Sequence, residues 1–319
     1  MKKNKTKNGV KTECAIVIYH SVGNMLKGRY PGAKGLSEEN ISGQLDFISK
    51  NYAVISLKNY ADFLGGSTQI PKKSCVLTFD DGLKNNYLNA FPILRQKKIP
   101  ACFFPLTLPI VKSVILPVHQ TSFLLAEVGA KILTDEFNQI LKSDFPDYLD
   151  KFFIEGKIKK DKRYKWDAPL TANLKYSISG LPQDIKTKII NRLFSAHFSD
   201  AENFFGGLYM NFEEMKEMMA YGMSFGSHGH SHSKLSELGK DEQIKEIKNS
   251  KEILEKGLRT EIKLFSYPYG SYNEITMEIL ADHEYVCAIT SDYGINYGKD
   301  INVFALKRMD TLDLPFKEN

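Results

Sequence analysis

The feature that most constrains this chain is its rhythm: short β-branched or aromatic runs alternate with longer segments of helical period, the pattern of a parallel α/β sheet or barrel. The first run, Ala15 to Tyr19, predicts a strand, and Ile41, Leu45 and Ile48 then recur at helical spacing after Ser37. A strand follows at Ala53 to Ser56, and Gly65 with Gly66 stops the next short helix. Cys75 to Phe79 reads as a strand ending on two aspartates and a glycine, before a helix carrying Leu88, Phe91 and Leu94 and a strand from Ala101 to Phe104. Farther on, Asn211 with Glu214 predicts a capping box for a helix through Met219. Strands are predicted at Met223 to Phe225, Leu264 to Tyr267 and Val286 to Thr290. The helices between them are marked by Ile244, Ile247, Leu254 and Leu258, and by Met277 and Leu280.

Between Leu106 and Gly207 the rhythm breaks for roughly 100 residues, far beyond the ~12–15 of an unstructured connection, so this stretch carries structure of its own. Phe123, Leu124, Val128, Ile132 and Phe137 have helical spacing, as do Ile185, Ile189, Leu193 and Phe194 after Pro182. The expectation is one domain over 1–319, interrupted at about 106–207 by a mostly helical insert that folds against the open face of the barrel and limits substrate choice. The middle of the insert is basic (Lys157, Lys159, Lys160, Lys162, Arg163, Lys165), which reads as a solvated face or as an anion site.

With 42% hydrophobic and 25% charged residues among 319, the chain can build a real core and is not wholly disordered. A net charge of +5 is too balanced to imply nucleic acid. The four cysteines lack metal-type spacing and sit in strand-like runs, so they read as buried free thiols. The basic start (Lys2, Lys3, Lys5, Lys7, Lys11) is not followed by the apolar segment of a secretory signal, and no run reaches the ~18 apolar residues of a membrane span. The expected location is cytoplasmic, with room for a peripheral contact with the inner membrane face.

Three segments carry candidate chemistry. Thr78-Phe79-Asp80-Asp81-Gly82 ends a strand on two adjacent carboxylates. Successive strand residues point to opposite sides, so the pair implies two different jobs or good solvation; a plain strand-ending turn fits as well. In Ser227-His228-Gly229-His230-Ser231-His232-Ser233, three of the seven histidines fall within five residues. His228 and His232, four apart, can converge on one ion from a single turn or tight loop. A surface histidine run is the alternative, but the preceding apolar strand and the small flanking residues suit a packed site. Two imidazoles, one carboxylate and positions left for water match catalytic better than structural zinc. Phe265-Ser266-Tyr267-Pro268-Tyr269-Gly270 ends another strand, where backbone N–H groups could face a reacting carbonyl or simply make a turn.

In this order the three segments resemble the NodB-type polysaccharide deacetylase family, whose first motif reads T-F-D-D-G and whose second sets two metal histidines four apart. The resemblance spans the chain outside the insert. It implies a distorted (β/α)7-type barrel and the metal-dependent release of acetate from an N-acetylated amino sugar in a glycan or glycan precursor. It further implies Asp80 as general base, Asp81, His228 and His232 as ligands of a divalent ion, with zinc expected, and Tyr269 as donor of a backbone N–H to the oxyanion. The arginine that begins the third motif in many members is replaced by Ser266, and Arg308, in Leu306-Lys307-Arg308, reads as its substitute from another strand or as a surface cation. The family's C-terminal Leu-x-His is missing too, since no histidine follows His283. Ile18-Tyr19-His20 supplies a similar run at the start, and in a closed barrel the first strand neighbours the last, so His20 is the expected acid for the leaving amine in a permuted barrel. Rival readings are an amide or imide hydrolase of the same fold acting on a non-carbohydrate substrate, and an inactive glycan-binding module.

Overall fold

In the computed structural model, which describes residues 12–26, 29–155, 167–198 and 207–315, the apolar runs become parallel strands. Seven of them form the barrel: β1 (Glu13–Tyr19), β2 (Lys73–Asp81), β3 (Cys102–Pro105), β4 (Ser224–Phe225), β5 (Leu264–Ser266), β6 (Cys287–Tyr293) and β7 (Leu306–Asp310). The order is β4-β3-β2-β1-β7-β6-β5. A parallel bridge between Ser227, just past β4, and Phe265 in β5 joins the two ends, with Ser266 N–H donating to the Ser227 carbonyl at 2.9 Å. The approach is close there because Gly226 has no side chain: a Cβ would lie 2.4 Å from the Phe104 ring and 2.6 Å from the Leu264 carbonyl oxygen. β1 pairs with β2 from Glu13↔Lys73 to Tyr19↔Phe79 and with β7 at Val17↔Met309 and Ile18↔Asp310, so the first strand does neighbour the last.

Period-two alternation sorts each strand into an inner and an outer face. Cys14, Ile16, Val76, Cys102, Phe104, Leu264, Cys287, Ile289 and Leu306 form one buried cluster with Leu57, Tyr60 and Phe63 of the helix Leu57–Leu64. Their strand neighbours Ala15, Val17, Leu77, Phe79, Phe103, Phe265 and Ala288 pack instead with Ile41, Leu45, Met215, Ile247, Leu254 and Ile279 from the helices. All four cysteines are free and buried, and burial pushes the Cys75 and Cys287 thiols up to about 12.

Local chemistry explains the helix boundaries. The Ser37 and Ser56 hydroxyls accept from the third residue of their helices. Asn211 and Glu214 form the reciprocal capping box, at 2.9 Å each way. Leu88 departs from expectation: it is 45% exposed, because Asn86–Ala90 is a π-turn that rotates it away from the face carrying Phe91 and Leu94.

Contacts divide the chain into two compact units: Met1–Gly23, Gly35–Lys112 and Tyr209–Asn319 in one, and Asn24–Lys34 with Ser113–Leu208 in the other. The second unit thus begins a few residues later than the sequence suggests and includes a two-stranded hairpin, Asn24–Leu26 with Arg29–Lys34, that packs on the helix Pro117–Glu127. Its further helices include Ala130–Asp144, Pro169–Gly180 and Gln183–His197, around a core of Phe123, Leu133, Phe137, Leu174, Ile189 and Phe194. The apolar run from Phe123 to Phe137 is two helices rather than one. Gly129, at φ 84°, separates them, and Ile132 is 53% exposed as a result. The basic stretch from Lys157 to Lys165 lies outside the described residues. Among the described residues, no helix is long and apolar enough to cross a membrane.

Candidate active site

Inward-facing positions carry the alternation to the carboxyl ends of the strands, where sites form in α/β barrels. In β2 the inner face reads Val76, Thr78, Asp80; in β5, Leu264, Ser266; in β7, Leu306, Arg308. These three strands therefore bring Asp80, Ser266 and Arg308 together above the apolar interior. Arg308 Nη2 lies 2.8 Å from Asp80 Oδ2, and the Ser266 hydroxyl donates to the same oxygen at 3.1 Å. Arg308 also donates through Nε to the Thr290 carbonyl at 2.6 Å. Arg308 is 3% exposed and Asp80 1%, which removes the surface-cation reading of Arg308. Burial alone would raise the Asp80 carboxyl. The Arg308 guanidinium, and then His228 and His20, outweigh it and hold Asp80 below the usual carboxylate range.

Strict alternation would turn Asp81 outward, toward the helices. It does not, because Asp81 adopts φ 72° and Gly82 φ 71°, ending the strand in a left-handed turn that keeps the second carboxylate at the same end of the barrel. Gly82 is obligatory on two counts, since a Cβ there would lie 2.6 Å from the Pro105 Cβ. Asp81 Oδ1 then stands 3.5 Å from His228 Nε2 and 3.7 Å from His232 Nε2. The three ligand-type atoms lie within 4.8 Å of one another, and all three residues are buried. His228 Nδ1 is 2.8 Å from the Ser266 carbonyl oxygen. A carbonyl only accepts, so Nδ1 carries the proton and Nε2 presents its lone pair toward Asp81. Two imidazole nitrogens and a carboxylate converging in this way fit a divalent ion of the zinc type.

Tyr269 adopts φ 58° in the turn after Pro268, and its ring packs against His232 at 4.4 Å between centroids. His20 follows the last residue of β1; since Tyr19 is in register with Phe79, His20 stands beside Asp80, exposed on its open side. His230 stands between His228 and His232 in the loop and bonds Thr107 Oγ1 through Nδ1 at 2.8 Å. Of the other histidines, His197 bonds Glu136 at 2.8 Å, His283 bonds the Ile279 carbonyl at 3.1 Å, and His119 is buried in the second unit. The expected set of Asp80, Asp81, His228, His232, Arg308, Tyr269 and His20 thus meets at one end of the barrel. Sequence reasoning missed the two-sided role of Ser266, whose hydroxyl serves Asp80 and whose carbonyl serves His228. It also missed the supports of the histidine loop.

Fold and residue set together define an α/β barrel with a paired-aspartate, two-histidine site at one end. The family profile described as polysaccharide deacetylase matches residues 67–143 and 186–288, more than half of the chain. The chain belongs to the polysaccharide deacetylase family. Among curated proteins, YxkH of Bacillus subtilis (strain 168) is 32% identical over 97 residues, which span 30% of this chain and 34% of that protein, about a third of its length. Among solved structures, the Streptococcus pyogenes deacetylase PplD in complex with acetate is similar at a TM-score of 0.58 and 20% identity, over 94% of this chain and 92% of that one. IcaB from Ammonifex degensii follows at 0.56 and 19% identity, over 93% and 91%. At such identities these structures speak for the fold.

Proposed function

We propose that this protein hydrolyses the N-acetyl group of an amino sugar in a glycan or glycan precursor, with Asp81, His228 and His232 holding a divalent ion, zinc by the character of the donors. The observation that carries the reading is the division of labour on Asp80. Its Oδ2 is committed to Arg308 and Ser266, while Oδ1 is buried and has no hydrogen-bond partner among the described residues. A carboxylate held ionised with one idle oxygen beside the ligand trio is placed to act as a base.

When bound, the ion supplies Lewis-acid polarisation of the acetamide carbonyl and of a water molecule. Asp80 Oδ1 takes the water's proton as the oxygen adds to the carbonyl carbon. Arg308 and Ser266 fix the carboxylate's orientation during the transfer. The Tyr269 backbone N–H faces the developing oxyanion. His20 gives a proton to the nitrogen as the carbon–nitrogen bond breaks, leaving acetate and a free amine.

The test is acetate release from oligomers of N-acetylglucosamine by purified protein. Release that a chelator abolishes and zinc restores is the expected result. Sugar-amide hydrolysis that persists unchanged in the chelator would remove the metal from the reading, and acetate release confined to non-carbohydrate amides would remove the sugar.

A further inference from the structure

The barrel's backbone pairing reaches His228, whose N–H donates to the Pro105 carbonyl at 3.3 Å, and the loop continues beyond it with two residues in the left-handed region, Gly229 at φ 78° and His232 at φ 61°. A non-glycine residue there is strained and persists only where its surroundings over-determine it. The restraint comes from the helix Lys240–Leu258. Glu246 Oε2 accepts from His230 N–H at 3.0 Å and from Ser231 N–H at 2.9 Å, and its Oε1 accepts from the Ser231 hydroxyl at 2.7 Å. One turn on, the Ser250 hydroxyl is 2.7 Å from that of Ser227, which accepts from Gly229 N–H at 3.0 Å. Across the loop, the His230 carbonyl accepts from Leu108 N–H at 2.9 Å. One carboxylate thus gathers three donors from the residues between the two histidines.

We infer that Glu246 is a positioning residue for the site: by accepting from His230 and Ser231 it holds the loop in the conformation that brings His232 beside the barrel-anchored His228 and aims it at Asp81. It does not reach the reacting atoms. The metal part of this inference rests on the function proposed above, whereas the loop-holding part stands on the hydrogen bonds alone.

Acceptor geometry and mere space-filling predict different variants. In Glu246→Met the volume remains but no acceptor does, leaving the two backbone N–H groups to find other partners. In Glu246→Gln the amide oxygen can still take both N–H groups and the amide nitrogen can donate to the Ser231 hydroxyl, so the network survives at reduced strength. Two readouts are made on the full-length protein. For metal-free samples, hydrogen exchange should show the His230 and Ser231 amides protected in the wild type and in Glu246→Gln, and open in Glu246→Met. Calorimetric titration with zinc alone, well below each variant's unfolding midpoint, should show affinity lowered about 10–100-fold in Glu246→Met, the range for lost outer-shell support, and largely recovered in Glu246→Gln. Protected amides with wild-type zinc affinity in Glu246→Met overturn the inference, as does a Gln variant no better than Met. Should the Met variant not fold, Ser231→Ala removes only the hydroxyl contact: a smaller loss in the same direction supports the role, and none refutes it. If the wild type binds no zinc, the metal reading fails while the exchange data still decide the role of Glu246.

Discussion

The two sources of the candidate ligand trio are built on opposite principles. Asp80 and Asp81 end a nine-residue strand clamped between β1 and β3, so their positions follow from backbone ladders and from one left-handed turn. His228 still rests on the barrel, through its N–H to the Pro105 carbonyl and its ring to the Ser266 carbonyl, but the stretch from Gly229 to His232 leaves that frame and takes its shape from Glu246, Leu108 and Ser227. Damage to the strand-borne half should therefore follow from the side chain removed. The loop-borne half should in addition be open to damage from residues that never face the substrate.

The largest expected effect is common to both halves. Asp81→Ala and His232→Ala should each lose zinc and reduce acetate release to background, while His230→Ala should be far milder. Metal analysis and turnover check this, and a zinc-loaded, active His232→Ala protein would show that the loop supplies no ligand. Next comes Asp80→Asn, which separates holding the ion from using it: zinc content should stay, while kcat falls by about 10²–10⁴-fold, the usual worth of a general base. Metal loss in this variant would mean that the aspartates do not divide their tasks as the hydrogen bonds indicate. The smallest effect at neutral pH is expected for Arg308→Met. Arg308 lowers the Asp80 carboxyl, so its removal raises it, and the base is then protonated at pH values where the wild type still works. The acid limb of kcat/KM should move up by about 1–3 pH units, with a loss above it smaller than in Asp80→Asn, since Ser266 still orients the carboxylate. An unmoved limb would assign that limb to another group.

Much of the first half was legible from the chain alone. The run from Cys75 to Phe79 declares a strand by composition, and Asp-Asp-Gly declares its end. The alternation in Leu306-Lys307-Arg308 also carried usable information: Leu306 faces inward, so Arg308 two residues on does too, which decides between substitute arginine and surface cation. The histidines were visible as a cluster, but their supports were not. Glu246 looks like any charged residue on an amphipathic helix, and only the packing of that helix under the loop gives it three donors.

Local rules fixed the strands, the caps and the residue types of the site, because period, capping and turn chemistry act over a few neighbours in the chain. His20 illustrates the boundary: its strand end was readable and barrel closure put that strand beside the last, but its place beside Asp80 came only with the register of β1 on β2. The tertiary structure decided what depends on partners far apart in sequence. It drew the hairpin Asn24–Lys34 into the helical unit, where its strands find a helix to pack on. It turned Asp81 inward against the strand's own alternation, and it joined Ser266 to both Asp80 and His228. Such contacts are invisible to local pattern because a buried donor is satisfied by whichever acceptor the fold carries to it.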